Sequence, residues 1–430
     1  MSAASVRAGY HAHDLHPGYS FGIGQRRWRR ACRRVAVVAT DRAGCICGGG
    51  NFDMNLSKPG LLAAAKTVLS GLALAALFSS SALAQRSRPP RPRGYELVEL
   101  GAVATGQSSQ ALAIDEQGTV VGWTVTEAGE RRAVVWPGEA DSSVLGTLQN
   151  GTYSFATAIS GNGVWVTGNS GIRPLVDPQF YSDIQQGFAW SDGAMQSVGA
   201  LYNPATVNKR FGTSDARGVN DHGQVVGFSI VIRQGLQSAF LWEGGVMTDI
   251  GLANQTAFNS RAFDINNAGQ VVGDIVLGNI EVTGPQGFVW QGGEFRYLPH
   301  PDGYLYSTAV AINERGRIVG WSGDGSRTTA VSWSGEGVDV IAALPGDESN
   351  QALDVNDAGQ VVGWSGAVSQ SRAFSWKAGV ATDLNSVLPI DTDWILLEAS
   401  DLNNRGMIVG SGLKRGEPRA FLLKPVPACR

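Results

Sequence analysis

One phrase recurs along this chain at a spacing that few folds tolerate. The text "NDAGQVVGWS" from Asn356 returns as "NDHGQVVGFS" from Asn220, "NNAGQVVGDI" from Asn266, "NERGRIVGWS" from Asn313 and "DEQGTVVGWT" from Asp115. Aligned on its turn glycine, the phrase occurs seven times, at Gly118, Gly163, Gly223, Gly269, Gly316, Gly359 and Gly406. The intervals are 45, 60, 46, 47, 43 and 47 residues, so only the second is long. Periods of about 40 to 50 residues belong to propeller blades or helical arrays. Helical arrays need long segments of 3.6-residue periodicity, and none is present.

Each unit reads as four short strands. The first ends in an apolar residue, such as Ile114, Ile265 or Val355, and carries an alanine seven positions before the turn glycine in every copy: Ala111, Ala156, Ala216, Ala262, Ala309, Ala352 and Ala399. The turn opens on Asp115, Ser160, Asn220, Asn266, Asn313, Asn356 or Asn403 and closes on the glycine. An Asx at the first place and Gly at the fourth is type I turn chemistry. The second strand is "VVG" or "IVG". The third is an "AF.W" phrase, as in Ala373-Phe374-Ser375-Trp376, and the fourth is amphipathic. Alternation of apolar and polar residues supports strands throughout.

Seven four-stranded units set radially make an all-β, seven-bladed β-propeller. A blade cannot bury both faces alone, so the same packing problem is solved seven times. The small alanines are expected at the crowded axis, and the third-strand Phe and Trp between blades. The seventh unit stops after its third strand, in "PRAFLLKP". The missing fourth-strand text stands at the other end of the repeats, in "YELVELG" from Tyr95. Pairing of Tyr95–Leu100 with Arg419–Leu423 is expected to close the ring.

Upstream of the repeats, residues 54–84 have the three parts of a secretory signal peptide. Lys58 and Lys66 give a positive start, Val68–Phe78 an apolar run, and Ala82-Leu83-Ala84 a cleavage site before Gln85. The run is short for a membrane span, and Ser79–Ser81 interrupt it. Residues 1–53, Arg-rich and without apolar periodicity, are expected to be an extension from an earlier start codon, without ordered structure. Residues 85–94 form a basic, Pro-rich linker, 95–427 the propeller and 428–430 a frayed end. Localisation is expected to be extracellular or periplasmic.

From Gln85 onward there are 24 Lys and Arg against 34 Asp and Glu, a balance near −10. That acidity argues against a nucleic-acid partner. Cys429 is the one cysteine left, so no intramolecular disulfide is available and a large core must carry stability. A monomer without stable membrane insertion is expected.

The pattern A-x-x-I-N-x-x-G-x-V-V-G-x-S, then A-F-x-W, then D-L-G, resembles the HAF repeat family of extracellular proteins. The resemblance covers Tyr95 to Lys424. The His of the His-Ala-Phe signature is replaced, as in Arg372-Ala373-Phe374 and Ser238-Ala239-Phe240. The resemblance implies export and a repeat architecture, and brings no catalytic residues with it.

No catalytic, cofactor or metal site is expected. The "NDAG" turns lack the late acid of a calcium loop, and no Cys or His cluster could hold zinc. His222 sits inside a turn and His300 in a loop, neither beside a nucleophile motif. Loops after the second and fourth strands open on one propeller face. The two long excursions, 169–186 and 202–212, both fall there. That face gathers the ligand-binding candidates Phe180, Tyr181, Tyr202, Phe211, His300, Tyr304, Tyr306 and Trp394. Aromatics in loops on a rigid ring suit recognition of a cell-envelope glycan or another exported protein; packing onto the blade edges is the alternative. A polysaccharide hydrolase or lyase would instead draw on Asp177, Asp183, Asp391 and Asp393.

Overall fold

The computed structural model describes residues 94–101, 107–138, 142–149, 151–172, 184–201, 212–231, 236–251, 257–277, 284–367, 370–389 and 391–426. The chain divides into two compact units, 1–81 and 82–430, and every described residue belongs to the second. The signal peptide, the basic linker up to Arg93 and residues 428–430 lie outside the described residues.

Among the described residues, 28 strands form seven four-stranded antiparallel sheets, a seven-bladed β-propeller. The first blade runs from its inner strand Ser109–Ile114 through Thr119–Val125 and Arg131–Pro137 to the outer strand Ser143–Gly146. Five more blades repeat that order. The seventh takes its inner three strands from Trp394–Leu402, Ile408–Lys414 and Glu417–Pro425, and its outer strand from Tyr95–Leu100. The register runs from Tyr95 opposite Pro425 to Leu100 opposite Ala420. Both ends of the repeat region therefore share one sheet, and the ring is closed by hydrogen bonds rather than by a covalent link.

Local chemistry explains each hairpin. In all seven turns the glycine N–H donates to the carbonyl of the first turn residue, at 2.8 to 3.2 Å. The glycines sit at φ between 71° and 98°, where a side chain is strained. The asparagine side chain does two jobs at once. At Asn220, Oδ1 accepts from the His222 and Gln224 amides, and Nδ2 donates to the Asn266 carbonyl in the next blade.

The core lies in the seams between blades. One cluster joins Val121, Ala133 and Leu148 of the first blade to Ala156, Ile159 and Phe188 of the second. Third-strand aromatics fill these seams: Phe188, Phe240, Phe288 and Phe421 are wholly buried. The repeated alanine is also a seam residue, which corrects its expected place at the axis. Ala216 meets the third strand of the preceding blade so closely that a Cβ built on Gly187 would lie 2.8 Å from its own. Ala is small there because two sheets converge, not because seven strands do.

Candidate functional site

The axis is lined by a residue that the period-two pattern would place elsewhere. Each inner strand has a register shift just after the repeated alanine, as between Ala111 and Ala113, Ala262 and Asp264, and Ala399 and Asp401. A β-bulge places two residues opposite one and bends the strand. The cause sits in the second strand. The glycine of each "VVG" opposes the bulge, and a Cβ on Gly122, Gly273 or Gly363 would overlap the carbonyl oxygen of Gln110, Arg261 or Gln351. The extra residue lines the axial cavity in every blade: Leu112, Thr157, Arg217, Phe263, Val310, Leu353 and Ser400.

The cavity holds about 250 Å³ and opens among the seven Asx-to-Gly turns. Its lining includes no residue before the bulge on any inner strand, so the bulge ring is its floor. Below the rim, the position preceding the last apolar residue of the inner strand forms the wall. Three blades put an acid there: Asp264, Asp354 and Asp401. Each reaches across a seam. Asp264 Oδ2 accepts from the Ile312 amide at 2.9 Å, Asp354 Oδ2 from the Leu402 amide at 3.0 Å, and Asp401 Oδ2 from the Ile114 amide at 2.8 Å. Burial pushes the Asp264 carboxyl up to about 7, against the pull of the Ile312 and Ile265 amides. Burial also raises Asp401 well above the carboxylate range, helped by the charge of Asp354 and a hydrogen bond with it.

The rim is the second turn residue of each blade, with Glu116, Asp221, Glu314 and Asp357 among Asn267, Asn404 and Gly161. These residues bond around the mouth. Asn267 Nδ2 donates to Asp221 Oδ2 at 2.9 Å, and Asn404 Nδ2 to Glu116 Oε1 at 2.8 Å. Glu314 is raised, first by burial and then by Asp221 and Asp357. Asp357 Oδ1 is buried without a hydrogen-bond partner. Seven carboxyls thus line the cup against one cation, Arg217. That guanidinium is engaged: Nε lies 2.7 Å from Asp215 Oδ1, too bent to count as a hydrogen bond, and Nη2 donates to Oδ2 at 3.2 Å.

The sequence-derived candidates were expected on the opposite face. Phe180, Tyr181, Tyr202 and Phe211 lie outside the described residues, as do Asp177 and Asp183. His300 is half-buried, with Nε2 2.7 Å from Gln286 Oε1, and burial lowers its pKa. Tyr304 is half-buried beside Leu305, which is 54% exposed. Tyr306 packs edge-on to Trp321, with ring centroids 5.9 Å apart. Trp394 is not displayed. It is 7% exposed and packs edge-on to Phe421 in the last blade, so it is a core residue. The Trp394 side chain falls on the seam side of its strand, a fact the loop-like text before it conceals. Asp393 accepts from Arg415 Nε at 2.8 Å, and Asp391 is exposed. His222 is an exposed turn residue.

The acidic cup was missed by sequence reading. A signal was there: acid stands at a slot where other blades have Ala113, Ala158, Gly218 or Ala311. Attention to shared positions hides the ones that differ.

Fold and axial cup together define a seven-bladed propeller with closed seams. No protein-family model matches the sequence, and no curated protein matches it. Among solved structures, the chain is similar to the β-propeller domain of the trilobed protease from Pyrococcus furiosus. That likeness covers 74% of this chain and 94% of that one, at 10% identity and a TM-score of 0.48. It is also similar to oligogalacturonate lyase from Vibrio parahaemolyticus, over 78% of this chain and 99% of that one, at 11% identity and a TM-score of 0.47. TolB from Acinetobacter baumannii aligns over 64% of this chain and 62% of that one, at 10% identity and a TM-score of 0.37.

Proposed function

We propose that this chain is an exported binding scaffold whose long-loop face recognises another exported protein or a cell-envelope glycan. The observation that carries this reading is the exit of both long excursions from one end of the second blade. The second strand of that blade ends at Ile172 and its third begins at Ile184. The outer strand ends at Gly199, and the next inner strand begins at Ser214. Strands that alternate in direction send both loops to the same face. The blade between them keeps its buried Ala156 and Phe188, so the added length serves loops and not the core. Exposed Leu305 on the same face adds apolar contact area, which favours a protein partner. Support for export comes from the signal-peptide text at 54–84 and the HAF-type repeats.

Polysaccharide cleavage on the same face would make a specific demand on its carboxylates. Glycosidase chemistry needs two free carboxyls about 5 to 9 Å apart across a groove. Of the two described acids named for cleavage, Asp393 accepts from Arg415 and Asp391 is exposed. Replacing residues 173–183 with a short Gly-Ser linker should abolish retention on a glycan array, or on immobilised candidate exported proteins, with the melting temperature kept. Unchanged retention by the shortened chain would remove the site from this face.

A further inference from the structure

We propose that Trp321 and Trp364, on the fifth and sixth blades, form a stacking site for uncharged pyranose residues of a glycan. The site rests on the reading of the long-loop face as the recognition face, and gives that face a ligand class.

The two rings share a place in the repeat, directly after the "VVG" or "IVG" of the second strand. Among the described residues, Trp123, Trp321 and Trp364 are the tryptophans that belong to no seam cluster. All three stand at this position, and all three are half-buried. Where the position is polar, it bonds to the inner strand of the next blade. Asn169 Nδ2 donates to Asp215 Oδ1 at 3.0 Å, and Thr308 Oγ1 donates to Asp274 Oδ2 at 2.9 Å. Across the ladder it meets the residue just before the repeated alanine, on the side of the bulge away from the acidic cup. Trp321 and Trp364 therefore stand at the axial end of two adjacent seams, towards the long-loop face.

Other aromatics at this position already carry a cation. The Arg131 guanidinium lies 4.4 Å from the Trp123 ring centroid, and that of Arg217 lies 5.6 Å from the ring of Phe228 in the third blade. Among the described residues no guanidinium lies over Trp321 or Trp364. Tyr306 braces Trp321 edge-on. A Cβ on Gly323 would overlap the Tyr306 ring, so the bare glycine admits it.

Polar groups stand beside the rings. Thr308 lies opposite Trp321 in the ladder, and Gln351 opposite Trp364. Among the described residues, the Gln351 amide and the indole N–H groups of Trp321 and Trp364 make no hydrogen bond. They are donors and an acceptor held next to two aromatic faces.

Charge sets the ligand class. At this level of the ring, Arg217 is paired with Asp215 and Arg261 with Asp274. Glu398 holds the matching place in the seventh blade, and burial raises its pKa, away from the charged form. A site whose charges are paired or suppressed suits an uncharged ligand. The negative face of an indole attracts the C–H groups of a pyranose ring, and a few amide or hydroxyl groups at its edge orient the sugar hydroxyls. Leu305, whose amide donates to the Gly323 carbonyl at 2.8 Å, would suit a peptide equally. The rings and the amide inboard of it select the sugar.

The test measures binding of cellohexaose, chitohexaose, maltohexaose and mannohexaose to the full chain, by calorimetry and tryptophan fluorescence. At least one should bind. Trp321→Ala with Trp364→Ala should weaken that binding about tenfold or more, the scale of one lost ring stack. Trp321→Phe with Trp364→Phe should keep most of it. Gln351→Ala should weaken it about threefold, as for one hydrogen bond. Should the alanine pair fail to fold, Gln351→Ala decides, and unchanged affinity there overturns the site. Binding of none of the four sugars, binding only of anionic polygalacturonate, or unchanged affinity in the alanine pair overturns it too. The chain with residues 173–183 shortened separates the two readings. Affinity lost there but kept in the tryptophan variants leaves the recognition face standing without this site. Affinity kept in both removes the face as well, and affinity lost only with the tryptophans supports this site alone.

Discussion

Asn403 Nδ2 donates to the carbonyl of Asp115 at 2.9 Å, across 288 residues of sequence. It is the last of five such bonds. Asn220, Asn266, Asn313 and Asn356 each donate to the matching carbonyl of the next blade, at 3.0 to 3.2 Å. Asp115 and Ser160 lack the amide, so the seams that follow them are held in other ways. Asn169 takes over at one, with Oδ1 accepting from the Ala216 amide at 2.9 Å.

Changing Asn356 to Asp tests this ring of amides. The Oδ1 contacts within the turn survive, while the donor to Asn403 is lost and a charge faces a buried carbonyl. The cost should be about 1 to 3 kcal/mol. Chemical denaturation of the variant is the measurement. A change within experimental error would mean that the bridge adds nothing to the turn.

Closure through the ends makes its own demand. Removing Tyr95–Leu100 uncovers the edge of Glu417–Pro425, and an unpaired edge recruits other strands. Light scattering should report association, or the melting temperature should fall clearly. A truncated chain that remains monomeric and equally stable would make the terminal strand dispensable.

The two kinds of repeated glycine should differ in severity. At Gly363 a Cβ would overlap the Gln351 carbonyl oxygen, so Gly363→Ala must push the bulge apart, at about 2 to 4 kcal/mol. At Gly359 nothing lies within 4 Å, and the penalty of Gly359→Ala is the backbone strain at φ 71°, about 1 to 2 kcal/mol. Comparing the two unfolding free energies checks the order; a reversal would mean that the inner bulge relaxes freely.

Stability should fall as pH rises from about 4 to 7. Asp264 titrates at about 7 in the folded chain, against an ordinary value of 3.8. Between those values the folded state holds a proton that the unfolded state releases, so raising the pH favours unfolding. Asp401 acts in the same direction. The contribution of Asp264 is fully present below the ordinary value and lost through 7, by at most about 4 kcal/mol at ~1.4 kcal/mol per pH unit. Asp264→Asn mimics the protonated acid and should flatten the profile while stabilising the chain at pH 8. An unaltered profile in that variant would assign the pH dependence to other groups.

The number of blades, their hairpin turns and the pairing of Tyr95–Leu100 with the last third strand were all legible in the sequence. Each rests on local rules, a turn that needs Asx and Gly or a strand that alternates, and seven copies leave those rules little ambiguity. The axis was not legible. A one-residue bulge after each repeated alanine reverses which side chain faces inward, so Ala399 enters a seam and Ser400 meets the cavity. The Trp394 ring, read as a loop aromatic, is buried on Phe421 for a related reason: the inner strand begins earlier than its repeat text. The acidic cup needed the ring itself. Asp264, Asp354 and Asp401 stand 90 and 47 residues apart in the chain, and only closure sets them around one cavity. Local hydrogen bonding decides a hairpin, whereas shared burial and proton binding depend on distances that the closed ring alone creates.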